Sequence, residues 1–115
     1  MKEHDEEALF PMPARSEQAL RAAVERLDPT EAVRFERDFH AAWETALLED
    51  STVPMQTFLY RWGVFVALHR IPSRSARLRE LERAVGSAAS LEEARTAGKE
   101  IEELLEVAAR EAASA

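Results

Sequence analysis

The chain has 115 residues, no cysteine and a formal net charge of −7, with 46% hydrophobic and 32% charged residues. That length supports one domain whose core needs no staple, and the lack of cysteine excludes disulfide frameworks, thiolate metal sites and a cysteine nucleophile. Three glycines and five prolines leave little for tight turns, which argues for helices, and the most apolar run, Val64 to Leu68, is far too short for the about 20 residues that cross a bilayer.

Residues 1 to 15 read as a disordered acidic tail. Charge dominates Lys2 to Glu7, and the prolines of Phe10-Pro11-Met12-Pro13 block helix propagation. No apolar run of signal-peptide length follows the acidic start, so the expectation is a cytoplasmic protein. A single helical domain is expected over residues 16 to 115. Ser16 is a plausible cap for a first helix whose Ala19, Leu20, Ala23, Val24 and Leu27 share one face. Asp28-Pro29-Thr30-Glu31 then places an acceptor side chain, a proline at the first helical position and a glutamate behind it, a start signal for a second helix to about Glu49. Ala32, Phe35, Phe39, Ala42 and Ala46 step by three and four along it, with Val33, Trp43 and Leu47 widening the apolar stripe.

A third helix starts around Thr52 to Pro54 and ends before Pro72. Met55, Phe58, Leu59, Trp62, Phe65, Val66 and Leu68 cover most of its circumference, which marks a helix surrounded by others. Gly63 in its middle costs about 1 kcal/mol of helix propensity, most simply explained by close approach of a neighbouring helix. Ser73 can cap a fourth helix with Leu78, Leu81 and Val85 in a narrow seam, ended by Gly86. Ser90-Leu91-Glu92-Glu93 opens the fifth, where Ala94, Gly98, Ile101, Leu105, Ala108 and Ala112 repeat by four and three. No segment alternates with period two. The expected fold is therefore all-α: an antiparallel bundle of four main helices plus a shorter N-terminal one, with no β-sheet.

Chemistry motifs are sparse. Glu36, His40 and Glu44 fall at i, i+4 and i+8 on one face, a spacing that suits metal ligands and equally suits a solvated, ion-paired helix surface, which is the reading adopted here. His69 ends an apolar helix, where a charged imidazole would complement the helix dipole. Glycine-rich phosphate loops, serine elbows and HExxH motifs are missing, so no catalytic residue, cofactor or metal is assigned.

Segment by segment, residues 1 to 28 carry −3, 29 to 50 carry −4, 51 to 83 carry +4 and 84 to 115 carry −4. The basic segment holds Arg70, Arg74, Arg77, Arg79 and Arg83, which have three readings: a patch for a protein partner, ion pairs with the acidic faces of the chain's own helices, or a DNA-reading surface. Net acidity and the interrupting Glu80 and Glu82 weigh against nucleic acid. The helix over residues 91 to 112 offers its seam either to its own bundle or to a second copy as a homodimer. Phe10 and Met12 could anchor on a partner as the tail folds against it.

From Leu27 to Ala67, the pattern Phe35-x-x-x-Phe39-x-x-Ala42-x-x-x-Ala46, then Pro54, then Leu59-x-x-Trp62-x-x-x-Val66 resembles a family of small actinobacterial all-helical proteins. Gly63 stands where that family usually has a larger residue. The family has no assigned activity, but some members look like antitoxins encoded beside small toxin genes. The missing chemistry motifs, the uneven charge along the chain and the acidic tail point to a non-enzymatic protein-interaction module, and the resemblance implies its antitoxin-like form, with a small basic toxin as the partner. The alternative is a transcriptional regulator that places the basic segment 70 to 83 on DNA.

Overall fold

The computed structural model describes residues 7–115, and among these it is all-α, with five helices and no strand. The first is α1, Glu17–Leu27, opened by the Ser16 hydroxyl, which accepts from the Ala19 amide at 3.2 Å. Asp28 serves two helices at once. Its amide donates to the Val24 carbonyl to close α1, while its carboxylate accepts from the Thr30 amide at 3.0 Å to open α2, Pro29–Glu49. α2 stops at Asp50, which adopts the left-handed region at φ 53°.

Next come α3, Val53–His69, and α4, Pro72–Gly86. Ile71, not Ser73, occupies the cap position of α4. Pro72 brings its own helical φ and one fewer orphan amide, so a buried apolar cap suffices. Gly86 is the last helical residue but takes no left-handed turn; Ser87 closes the helix through its amide to the Arg83 carbonyl. The last helix is α5, Leu91–Ala113. The Ser90 hydroxyl accepts from the Glu93 amide at 3.1 Å, and the Glu93 carboxylate accepts from Ala89, one residue before the cap, at 2.8 Å.

α3 touches every other helix, as its all-round apolarity implies. Two clusters make the core. Leu20, Ala23, Val24, Phe35, Phe58, Trp62 and Val66 join α1, α2 and the body of α3. Ala67, Leu68, Ala108 and Ala112 join the end of α3 to α5. Phe35 sits in edge contact with Phe58 at 4.9 Å and Trp62 at 5.2 Å, and the Trp62 indole N–H donates to Asp38 at 3.1 Å, so a half-buried carboxylate satisfies the ring's polar atom.

Small residues let α5 approach α3: a side chain begun at Gly63 would meet the Ala112 Cβ at 3.4 Å. The α5 seam thus packs within its own chain, against α3 as well as α4, except that Leu105 is exposed and Ala97 and Leu104 face inward; on α4, Leu81 is buried and Leu78 half-buried, whereas Val85 is exposed.

The boundary expected at Ser16 lies too late. Phe10 and Met12 pack partly buried against the core, the Leu9 amide donates to the Arg70 carbonyl at 2.7 Å, and Arg70 donates back to the Phe10 carbonyl at 3.0 Å. Prolines stop a helix but not the packing of an extended segment, and the Arg26 guanidinium 4.9 Å over the Phe10 ring adds to the hold. The rest of the expected tail, residues 1–6, lies outside the described residues.

Candidate protein-binding surface

The basic segment is largely turned inward. Arg70 and Arg74 both donate to Glu111 of α5, at 2.8 and 2.5 Å, in a mostly buried cluster. Arg77 reaches Glu100 of α5 at 2.8 Å and Glu80 of its own helix at 2.9 Å. Of the five arginines singled out from sequence, these three already hold carboxylates of the same chain, and that pairing ties the end of α3 and α4 to α5. Hydrogen bonds from Arg74 and then Arg70 hold the Glu111 carboxyl below its ordinary pKa, outweighing a burial effect of opposite sign. Arg79 donates to the Ser75 hydroxyl at 3.2 Å, and Arg83 is exposed. Phe10 and Met12, the two apolar candidates of the N-terminal segment, are the core contacts described above.

The face of Glu36, His40 and Glu44 is an ion-pair surface. Glu36 pairs with Arg21 of α1 and, at 3.0 Å, with His40, while Glu44 stays exposed. The Arg21 hydrogen bond lowers the Glu36 pKa. Among the described residues no group of three or more histidine and acidic side chains is placed to hold a metal.

His69 does not act as a charged cap. Its ring is half-buried 4.5 Å from Phe65, and burial first, then the nearby Arg79 charge, pushes its pKa below the usual imidazole value. The neutral ring lies 2.8 Å from the Ser75 hydroxyl through Nδ1, and with Arg79 it links the end of α3 to the first turn of α4. Beside it opens a groove of about 400 Å³ whose walls mix Asp28 and Glu31 with Arg79 and the rings of Phe65 and His69. Among the described residues no carboxylate hydrogen-bonds His69, so the pair lacks the orienting acid of a serine hydrolase.

A different surface stands out, at the end where α2 turns into α3. Of the ten large apolar side chains exposed among the described residues, four fall within residues 43 to 53: Trp43 at 51%, Leu47 at 67%, Leu48 at 88% and Val53 at 60% exposure. Helix lengths explain why. α2 has 21 residues and α1 only 11, about 31 against 16 Å, so α1 covers half of its neighbour. Arg21, in the second turn of α1, already sits over Phe39, 5.9 Å from the ring centroid. Trp43 and Leu47, one and two turns further along α2, extend past that cover, with Trp43 stacked on Phe39 at 6.4 Å. On the other side, the last turn of α5 meets α3 at Gly63, in the middle of that helix. Sequence periodicity assigned Trp43 and Leu47 to the core stripe; their exposure shows that the stripe outlasts the helices that could cover it.

The segment that forms this end is acidic, and Arg61 of α3 lies beyond it in the groove lined by Thr45 and Pro54. From residue 38 to residue 60 there is no lysine or arginine, while Asp38, Glu44, Glu49 and Asp50 are all present. Asp38 is engaged by Trp62; Glu44, Glu49 and Asp50 are exposed. No helix among the described residues is long and apolar enough to cross a membrane. Compared with family models, with curated proteins and with solved structures, the chain matches none of them.

Proposed function

We propose that this chain is a non-enzymatic binding module that engages a partner protein through the exposed end of the α2–α3 hairpin. The observation that carries this reading is the concentration of Trp43, Leu47, Leu48 and Val53 in solvent within eleven residues, whereas the other six large apolar side chains exposed among the described residues are scattered along the chain. Leucines this exposed add little to the packing of the chain itself, and Trp43 is of the residue type that dominates binding energy at protein interfaces, with the aliphatic side chains as its apolar surround. Antitoxin-like neutralisation of a small toxin is the concrete form that the family resemblance suggests.

The arginines support this reading over a DNA-binding regulator. A phosphate backbone would have to displace Glu111 from Arg70 and Arg74 and Glu100 from Arg77, giving up charge-assisted bonds already made. The test is quantitative co-purification from the native cell with the wild type and with the double variant Leu47→Ser/Leu48→Ser. A protein enriched with the wild type and lost with the variant supports the proposal; identical sets of co-purifying proteins overturn it.

A further inference from the structure

We infer that the occupant of the hairpin end is a cationic amphipathic helix of the partner: an apolar stripe that seats on Trp43, Leu47, Leu48 and Val53, flanked by lysine or arginine that meets Glu44, Glu49 and Asp50. This rests on the binding function proposed above and adds the chemistry of the partner. The apolar side chains supply the driving force but no selectivity between ligands, since any greasy helix would bury them. Selectivity lies in the rim. Glu44, Glu49 and Asp50 are exposed and no lysine or arginine falls between Arg37 and Arg61 in the sequence, so the turn itself attracts positive charge, while Arg61 lies further back, in the groove that Thr45 and Pro54 line between α2 and α3.

Two nearer occupants fail on the same ground. A second copy docking through this end by two-fold symmetry would bring Glu44, Glu49 and Asp50 into one interface with the same three carboxylates of the other copy and no lysine or arginine from residues 38 to 60, since an isologous interface pairs a patch with itself. The chain's first six residues, Met1-Lys2-Glu3-His4-Asp5-Glu6, are themselves acidic and offer a single apolar side chain. Trp43 and Leu47 are one turn apart on α2, matching anchors at i and i+3 or i+4 on a partner helix, and Leu48 and Val53 are exposed on either side of the turn into α3.

The probe is a synthetic helical peptide of leucine and lysine, about 14 residues long, compared with its leucine and glutamate counterpart, each labelled and titrated with the full chain at about 150 mM salt. The leucine–lysine peptide is expected to bind, and to bind about tenfold more weakly to Leu47→Ser/Leu48→Ser and to Glu44→Gln/Glu49→Gln/Asp50→Asn. Asparagine tolerates the left-handed backbone at position 50, so the second variant keeps the turn. Binding to Glu102→Gln/Glu103→Gln/Glu106→Gln, which removes as many exposed charges from α5, is expected to be unchanged.

Equal binding of the leucine–glutamate peptide, equal weakening by the α5 variant, or no effect of the hairpin variants would overturn the inference. So would a dimer in sedimentation that Leu47→Ser/Leu48→Ser dissolves, which would assign the surface to a second copy. A native partner that is lost with the hairpin variant but is not displaced by the leucine–lysine peptide would leave the binding function standing and remove only the cationic helix.

Discussion

Ala112, one residue from the end of α5, places its Cβ 3.4 Å from where a side chain on Gly63 of α3 would begin, and this contact sets how closely the two longest-range partners in the bundle approach. At that separation a methyl group just fits. Gly63→Ala should therefore change stability by less than about 1 kcal/mol, its helix-propensity gain offsetting a tight contact. Gly63→Leu should cost about 1–3 kcal/mol by forcing α3 and α5 apart. Denaturant melts at fixed pH distinguish the two, and an equal loss for both variants would show that glycine's backbone, not the close approach, is what the site requires.

Glu111 binds two guanidiniums that are themselves mostly buried, so removing its charge leaves Arg70 and Arg74 without a carboxylate, held only by their bonds to the Phe10 and Ala67 carbonyls. Glu111→Gln should cost about 1–3 kcal/mol, in the range for charge-assisted hydrogen bonds at a partly buried site. Its folded pKa is depressed, so the stabilisation is present above the ordinary carboxylate value of 4.5 and is lost as pH falls through the folded value. In acid the wild type and Glu111→Gln should converge. Curves that remain parallel down to that range would contradict the assignment.

His69 gives a second acid-sensitive contact at higher pH. Its imidazole is held neutral by burial and by Arg79, with Glu31, Glu82 and Asp28 acting weakly in the other direction. The unfolded chain takes up this proton near the ordinary value of 6.5 and the folded chain resists it. Stability is thus full above that value and declines as pH falls below it, until the folded group also titrates. His69→Gln should flatten the slope of stability below about pH 6.5 without removing the later loss from Glu111. An unchanged slope would place the acid sensitivity elsewhere.

On α2, Glu36 is occupied by Arg21 and His40. Zinc or manganese added to metal-free protein should leave the melting temperature unchanged, because only a ligand that binds the folded state raises it. A rise of several degrees that disappears in His40→Ala would show that the face coordinates metal.

The helices were legible from local signals, because Asp28-Pro29 and Ser90 act on amides within four residues of themselves and periodicity reports which face is apolar. Gly63 was legible too, since a mid-helix glycine is costly and close packing is the simplest compensation. What a linear pattern does not carry is how far a neighbour extends. Trp43 and Leu47 share the spacing of the core residues Phe35 and Phe39, and only the shortness of α1 leaves them in solvent. The same holds for the arginines. Ion pairs with the acidic faces of the chain's own helices are among the readings of residues 70 to 83, but the pattern does not say which carboxylates are met, since Glu100 and Glu111 lie more than twenty residues away and arrive only when α4 folds back along α5. Phe10 and Met12 were assigned to a tail because proline excludes helix, and extended backbone packs on a core just as well.

If Trp43, Leu47, Leu48 and Val53 serve a partner and not the fold, polar replacements there should be nearly silent for folding. Leu47→Ser/Leu48→Ser should move stability by no more than about 0.5 kcal/mol per site, as for ordinary surface positions. Phe35→Ala on the same helix should cost about 3–5 kcal/mol, because Phe35 is fully buried. A large loss in the serine variant would mean that the hairpin end is buried in the protein as it exists in solution.

The most direct measurement places a photoreactive side chain, p-benzoylphenylalanine, at Leu48 in the native cell, with the same group at Glu102 on α5 as the control. Irradiation should join position 48 to one other protein at high yield and position 102 to nothing in particular. Digestion should then find the cross-link within a helical segment of that protein. Cross-linking of equal yield and diversity at both positions, or none at Leu48, would contradict the assignment of the α2–α3 hairpin end as the binding surface.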